Sequence, residues 1–226
     1  MINNNQKNQR RAGFYWLEGK PFVSVTEVLK ILDKPALRYW FGKEVFLAMA
    51  KDPTLNEKQA LSAPYIKTDK AKDRGLTVHS IVESFKTTGE KIENVPEEFQ
   101  GYAKAFYKWI NDNHVKIIEN EKTVVSNNHV YAGTLDLLVE MNGSKERLII
   151  DVKTGKGIYP EAFLQLSAYK NAMEEGQNKI DGIAVLLLKE TGNYIFERGE
   201  EVFDIFLACK SIWGWQNKEL LEKMKK

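Results

Sequence analysis

Cysteine is almost absent: the 226 residues hold one, Cys209. An internal disulfide and any four-cysteine zinc or iron–sulfur site are therefore excluded. There is no apolar run of the length that spans a bilayer. The opening Met1-Ile-Asn-Asn-Asn lacks the apolar centre of a secretory signal. A cytoplasmic location without membrane contact is the expectation. Charge of one sign is missing too. Lys and Arg number 33 against 31 Asp and Glu, a net charge of +2. Bulk composition does not announce a nucleic-acid binder, so any basic surface must be local. No repeat and no long linker divides the chain. A hydrophobic share of 43% and a charged share of 28% are ordinary for a globular protein. The length allows one domain with a real core and room for a helical appendage.

What is present centres on residues 131 to 169. Leu135, Leu137 and Val139 alternate with Asp136, Leu138 and Glu140, the period of a strand. After the polar segment Met141 to Glu146 comes a second apolar run, Arg147 to Lys153. A turn centred between Gly143 and Ser144 sets Val139 opposite Leu148, Leu137 opposite Ile150 and Leu135 opposite Val152, one wholly apolar face. The other face pairs Glu140 with Arg147, Leu138 with Ile149, and Asp136 with Asp151. A slip of one residue mixes the faces, so the pattern selects this register. It leaves two carboxylates opposed, which repel. A divalent cation between them is the simplest remedy. Lys153 follows Asp151 by two residues and points to the same side.

At these residues the sequence resembles the PD-(D/E)XK nuclease superfamily, in its RecB-type and phage exonuclease branch. The matching pieces are Gly133-Thr134-Leu135-Asp136, then Asp151-Val152-Lys153-Thr154-Gly155, then Gln165-Leu166-Ser167-Ala168-Tyr169. An acid-x-Lys triplet alone is worth little, since Glu18-Gly19-Lys20 has the same form. The ordered set is far more specific. Upstream, Gly75 and His79 match the Gly-x-x-x-His helix of RecB-type members. Ser24-Val-Thr and Lys34-Pro-Ala-Leu-Arg-Tyr-Trp look like the N-terminal region of phage members and of mitochondrial genome maintenance exonuclease.

The resemblance implies an α/β protein: a restriction-endonuclease-like core, its mixed central β-sheet flanked by helices, with a helical N-terminal part. Residues 1–66 are expected to form that N-terminal region and 67–226 the nuclease core. It implies a metal-dependent DNA exonuclease of phage-type or bacterial recombination, repair or processing. The alternatives are an endonuclease of the same superfamily or a non-catalytic DNA-binding subunit. Mg²⁺ or Mn²⁺ would be held by His79, Asp136, Asp151 and the backbone carbonyl of Val152. Lys153, Gln165 and Tyr169 would join the two aspartates in catalysis. Glu83 reads either as an outer acceptor for His79 or as helix surface. Glu121 reads either as an acid leaning toward the metal or as an exposed strand end. Thr154 and Arg38 are candidates for DNA contact. The partners implied are linear DNA, single- or double-stranded, and a recombination protein. The setting implied is intracellular, including a phage protein acting in host cytoplasm.

The remaining pattern predicts a short extended pair over residues 14–23. Helices follow: Val25–Leu32 capped by Ser24 and Glu27, one from Pro35 to Ala50, a short piece ending near Pro64, and another over Thr68–Lys86. A helix from Pro96 to Asn113 carries the stripe Phe99, Tyr102, Phe106, Trp109 and Ile110. Strands are expected at 115–125, interrupted near Glu119-Asn120, and at 180–189 and 193–198. Helices at 160–175 and 200–225 complete the chain. Residues 1–12 read as a frayed terminus or a DNA-contacting arm. His114 and His129 read as structural.

Overall fold

The hairpin is the centre of the sheet. The computed structural model describes residues 9–88 and 95–224. The expectation for the N-terminal arm falls outside these for residues 1–8, as do the last two lysines. Strand β5 (Tyr131–Met141) pairs antiparallel with β6 (Glu146–Lys153), with Val139 opposite Leu148, Leu137 opposite Ile150 and Glu140 opposite Arg147. Hydrophobic alternation has selected the expected register. Among the described residues the sheet has eight strands, β1 (Gln9–Arg11), β2 (Phe14–Leu17), β3 (Lys20–Ser24), β4 (Val115–Ser126), β5, β6, β7 (Gly182–Leu188) and β8 (Tyr194–Gly199). Strand β3 meets β5 in parallel, and so does β6 with β7; the other pairs are antiparallel. The sheet is therefore mixed, and helices flank it.

Two apolar layers cover its faces. Alternate strand residues point to opposite sides, and the core divides accordingly. On one side Leu138, Ile149, Ile183 and Val185 pack with α1 (Val25–Val28), α5 (Glu161–Glu175) and α6 (Phe203–Gln216) through Val28, Leu166 and Phe206. On the other, Leu137, Val139, Leu148, Ile150 and Leu186 pack with α3 (Glu57–Thr88) and α4 (Gln100–Asp112) through Val82, Phe106 and Trp109. This is the helix–sheet–helix sandwich that a strand set apolar on both faces requires. Leu135 departs from the expected face: it joins Leu138 and Ile149, not Leu137. The ladder to β6 ends at Leu137, and strict alternation is not held beyond it.

The helices differ from the sequence reading in three places. Residues 57–88 form one helix, not two, and Pro64 lies inside it, buried. Asn56 and Gln59 cap its start reciprocally, each side chain accepting the other's backbone N–H at 3.0 Å. The Thr68 hydroxyl donates to the Pro64 carbonyl at 2.9 Å. Helix α2 (Pro35–Lys51) lies along α3, with Glu44 paired to Lys67 and the Phe41 and Tyr65 rings edge-on at 5.2 Å. These contacts override the roughly 3 kcal/mol preference against proline in a helix interior. The long helix crosses the expected boundary between residues 66 and 67, and β1 to β3 belong to the central sheet. Near the chain's end, α6 stops at Gln216 and α7 (Lys218–Met224) resumes, because Asn217 turns both its backbone N–H and its side-chain amide onto the Trp213 carbonyl. In the N-terminal region, Ser24 Oγ accepts from Glu27 N at 3.1 Å, while its own N–H donates to Gly13 O. Half of the expected capping box forms, and α1 passes into a 3-10 turn at Leu29.

Gly101 holds α4 against the loop after β7. A Cβ there would lie 1.6 Å from the Glu190 carbonyl oxygen. Backbone cannot yield as a side chain can, so Gly101→Ala is expected to destabilise by about 2–3 kcal/mol. Gly42 on α2 meets nothing within 4 Å. There the same change should stabilise by roughly 0.5–1 kcal/mol through helix propensity. Urea unfolding of both variants checks the pair of signs.

Candidate active site

A gap in the sheet builds the site. Strand β4 lies along one edge of β5 from Tyr131 to Met141. Strands β3 and β6 must then share the other edge, β3 at Tyr131 and Ala132, β6 from Leu137 onward. Between them, Gly133 to Asp136 have no strand partner on that edge among the described residues. The Gly-Thr-Leu-Asp piece thus occupies an opening rather than a ladder on that edge, and Gly133, Thr134 and Asp136 line a cavity of about 710 Å³ while Leu135 turns into the core.

The expected face-to-face pairing of Asp136 with Asp151 is replaced by something tighter. Asp136 Oδ2 accepts the backbone N–H of Val152 at 2.7 Å. Burial and the charge of Asp151 push the Asp136 carboxyl up to about 7, against the opposing pull of His79, Lys153 and that hydrogen bond. Asp151 is 2% exposed. Its Oδ1 accepts from Lys153 Nζ at 2.9 Å and from Gln165 Nε2 at 3.2 Å. Its Oδ2 lies 2.7 Å from the same ammonium but out of hydrogen-bonding alignment, so one buried oxygen keeps its lone pairs uncommitted. Burial works against the Lys153 charge, but Asp151 and Asp136 outweigh it and raise its pKa.

Helix α3 brings His79 over the gap. Its Nε2 donates to the Val152 carbonyl at 3.1 Å, while Nδ1 lies 3.4 Å from Glu121 Oε1 and 3.7 Å from Asp136 Oδ1. Burial alone would lower this imidazole's pKa. The hydrogen bond to Glu121 and the charges of Asp136, Glu121 and Asp151 prevail and raise it to about 9. Glu121, rather than Glu83, meets the ring. Glu83 lines the cavity, and its backbone carbonyl accepts from Asn120 Nδ2 at 3.0 Å. Glu121 reaches inward because β4 is irregular: its register shifts between Ile117 and Glu119, and Glu121 itself has φ 45°. A left-handed glutamate in a strand is uncommon and re-aims its side chain.

Helix α5 supplies Gln165 and Tyr169, one turn apart on one face. Gln165 Nε2 donates to the Tyr169 hydroxyl at 3.1 Å. The Tyr169 ring rests on Gly133, where a Cβ would lie 2.2 Å from Cε1. Glycine is needed there for close approach. Burial and the two aspartates hold the Tyr169 phenol well above its ordinary pKa, so it stays a neutral donor.

The structure therefore gathers His79, Asp136, Asp151, Val152, Lys153, Gln165 and Tyr169, with Glu83 and Glu121, in one place. Thr154 follows directly at the end of β6, half-buried. Arg38 stands on α2, 72% exposed and paired with Asp33 at 2.6 Å. Sequence reasoning missed Tyr15, whose hydroxyl shares a 3.0 Å hydrogen bond with Thr134 Oγ1 on the cavity wall. Nothing in its short strand signals this. It also missed Lys72 and Leu76, which line the cavity. Their spacing from His79 along the helix was the available signal.

No family model and no curated protein matches the chain. Solved structures do. The fold is similar to that of an alkaline exonuclease. This is LHK-Exo from Laribacter hongkongensis, 11% identical, with a TM-score of 0.42 over 65% of this chain and 79% of that one. LHK-Exo in complex with dAMP is 13% identical, with a TM-score of 0.40 over 66% of this chain and 88% of that one. What the cavity can do chemically follows from its own side chains. His79, Glu121 and Asp136 bring ligand atoms within 4.8 Å of one another. Three such donors, a buried carboxylate oxygen with spare lone pairs and an acid forced upward by a neighbouring acid suit a divalent cation.

Proposed function

We propose that the protein is a metal-dependent deoxyribonuclease that hydrolyses phosphodiester bonds from DNA ends, inside the cell. The observation that carries this is the pair Asp136, largely covered, and Asp151, buried, set between the imidazole of His79 and the ammonium of Lys153. Carboxylate oxygens with a single nitrogen donor fit Mg²⁺ or Mn²⁺. Asp136, Glu121 and Nδ1 of His79 are the groups that would hold the ion, with Asp151 beside them; the Val152 carbonyl, expected as a further ligand, accepts from Nε2 of the same ring and orients it instead. When bound, it supplies Lewis acidity to the phosphoryl group and lowers the pKa of water.

The chain's own residues do the rest. Lys153 places a fixed positive charge where charge accumulates on the phosphoryl oxygens. Gln165 holds Asp151 and Tyr169 in one hydrogen-bonded row, which fixes the carboxylate's orientation. Tyr169, kept protonated, offers a donor to the substrate strand. The His79 imidazolium, bonded to Val152 O and Glu121, compensates the acids until a metal takes that place.

That exchange predicts a pH dependence. Asp136 is raised from an ordinary 3.8 to about 7, and His79 from 6.5 to about 9. Ligation requires both to lose their protons, so Mn²⁺ affinity and cleavage rate should climb from pH 6 to 9. The rise is about tenfold per pH unit wherever one proton is released. Both pKa values are raised on folding, so both groups favour the folded state most below their unfolded values. The advantage fades as pH rises through about 7 and about 9. The metal-free protein should melt progressively lower across that range, and Mn²⁺ should reverse the trend. Thermal melts at pH 5 to 9, with and without Mn²⁺, read it directly.

Cleavage of end-labelled linear DNA and covalently closed circles, with Mg²⁺, Mn²⁺ or EDTA, tests the activity. Metal-dependent loss of linear DNA with circles spared supports the exonuclease. Cutting of circles would instead make it an endonuclease. DNA binding without cleavage under any metal would overturn catalysis and leave a binding subunit.

A further inference from the structure

Beyond the acids and Lys153 lies a loop that the proposed chemistry leaves unused. Residues 154–160, Thr-Gly-Lys-Gly-Ile-Tyr-Pro, lead from the end of β6 to the start of α5. The ladder to β7 ends at Lys153 and Leu187, so this backbone belongs to no strand. Lys189, just past β7, reaches it. Its Nζ donates to the Lys156 carbonyl at 3.2 Å and to the Gly155 carbonyl at 3.5 Å. A trans peptide points its N–H opposite to its C=O, and the chain has no cis peptide among the described residues. The two carbonyls turned toward Lys189 therefore aim the N–H groups of Lys156 and Gly157 away from it. Neither N–H has a hydrogen-bond partner among the described residues. A Cβ on Gly155 or Gly157 would meet nothing within 4 Å, so the space beside them is open.

The charges around the loop give the sign of its occupant. Lys153 is matched by Asp151 at 2.7 Å, and Lys34 by Glu161 at 3.0 Å. Glu190 follows Lys189 in the chain but turns to the Tyr102 hydroxyl on α4. Lys189 meets only carbonyls, and Lys156 is exposed with no ion pair among the described residues. Two ammonium groups thus remain without a carboxylate. Lys189 sits behind the two peptides and polarises them, which strengthens their N–H groups as donors. Successive backbone N–H groups aimed into open space, with cationic charge beside them, suit a phosphate. The position says which phosphate. Lys156 is three residues from Lys153, roughly 11 Å of chain at most. The loop also stands at the carboxyl ends of the parallel strands β6 and β7, the edge where α/β sheets bind ligands.

We propose that residues 155–157 hold a backbone phosphate of the DNA strand beside the one being cut, through the N–H groups of Lys156 and Gly157 and the Lys156 ammonium. Lys189 is a positioning residue that fixes the two peptides from behind. This rests on the nuclease reading and adds to it a second point at which the strand is gripped.

The test is fluorescence anisotropy of the full chain in EDTA over a series of KCl concentrations. The probe is a labelled DNA duplex with a single-stranded overhang. Wild type, Lys156→Gln, Lys189→Met and Lys189→Arg are compared, with melting temperatures confirming that each is folded. Lys156→Gln is expected to bind about three- to tenfold more weakly. Its log–log salt slope should flatten by about 0.7–0.9, the contribution of one phosphate contact. Lys189→Met should weaken binding by a comparable factor. Lys189→Arg keeps donors for both carbonyls and should restore it. In cleavage with Mn²⁺, Lys156→Gln should raise KM by the factor seen in binding and leave kcat within about twofold. Unchanged affinity and slope in Lys156→Gln would overturn the site, as would a loss of kcat at unchanged KM. Weaker binding at an unchanged slope would also overturn it, since a packing defect lowers affinity without changing counterion release. If wild type cleaves while Lys156→Gln binds normally, the loop site alone fails. A wild type that neither binds nor cleaves DNA removes the nuclease reading itself.

Discussion

Asp136→Asn is expected to abolish DNA cleavage and, above pH 7, to raise the melting temperature of the metal-free protein. The two effects share one cause. Asp136 is held at a pKa of about 7 by burial and by Asp151, so its ionised form is unfavourable in the folded chain without a cation. Asparagine keeps the oxygen that accepts from Val152 N, fills the same volume and removes the charge. Because the carboxyl's pKa is raised on folding, removing its charge relieves a penalty on the order of 1–3 kcal/mol above pH 7, and Glu121 and Asp151 still face His79. For a chain of this size that amounts to several degrees. The same substitution removes an anionic donor from the proposed metal site. The ion's stabilisation of the transition state is worth several kcal/mol, so turnover should fall at least about a thousandfold. A residue that merely packed the core would show the opposite pattern, with lower stability and activity falling only with the folded fraction. Melting curves at pH 8 in EDTA, beside cleavage rates in Mn²⁺, distinguish the two.

Lys153→Ala should also end cleavage, with the reverse effect on stability. Asp151 is 2% exposed and has two hydrogen-bonding partners, Lys153 and Gln165. Removing the ammonium leaves a buried carboxylate held by one amide. Breaking such a pair commonly costs about 3–5 kcal/mol. The loss here should lie near 2–3 because the lysine side chain is 39% exposed and partly screened. The double variant Asp151→Ala/Lys153→Ala should recover most of that loss, since no unpaired charge remains. Urea denaturation of the two single variants and the double closes the cycle. Additive losses would show that the pair does not act as a unit.

The sequence carries much of this arrangement, for identifiable reasons. The β5–β6 register is legible because alternation and a four-residue turn agree, and one slip would put Glu140 and Arg147 in the core. That register brings Asp136 to the β6 strand that carries Asp151 and Lys153, although the ladder itself ends at Leu137; Gln165 and Tyr169, one helical turn apart, are expected at the site only from the family resemblance. Other features depend on tertiary contacts that no local pattern encodes. Pro64 looks like a helix end, yet α2 holds the helix together across it through Glu44 and Lys67. Glu121 is aimed at His79 by a left-handed backbone within an irregular strand, whereas helical spacing pointed to Glu83. Tyr15 reaches Thr134 because β3 and β6 share an edge of β5 and leave an opening there.

Whether the cavity binds a divalent cation decides the account. Calorimetric titration of the full chain with Mn²⁺ at pH 8, in two buffers of different ionisation enthalpy, measures both binding and proton release. Saturable binding with release of a proton from His79, lost in Asp136→Asn, is the result expected. Absence of saturable binding by the wild type, or binding unchanged in Asp136→Asn, would contradict it.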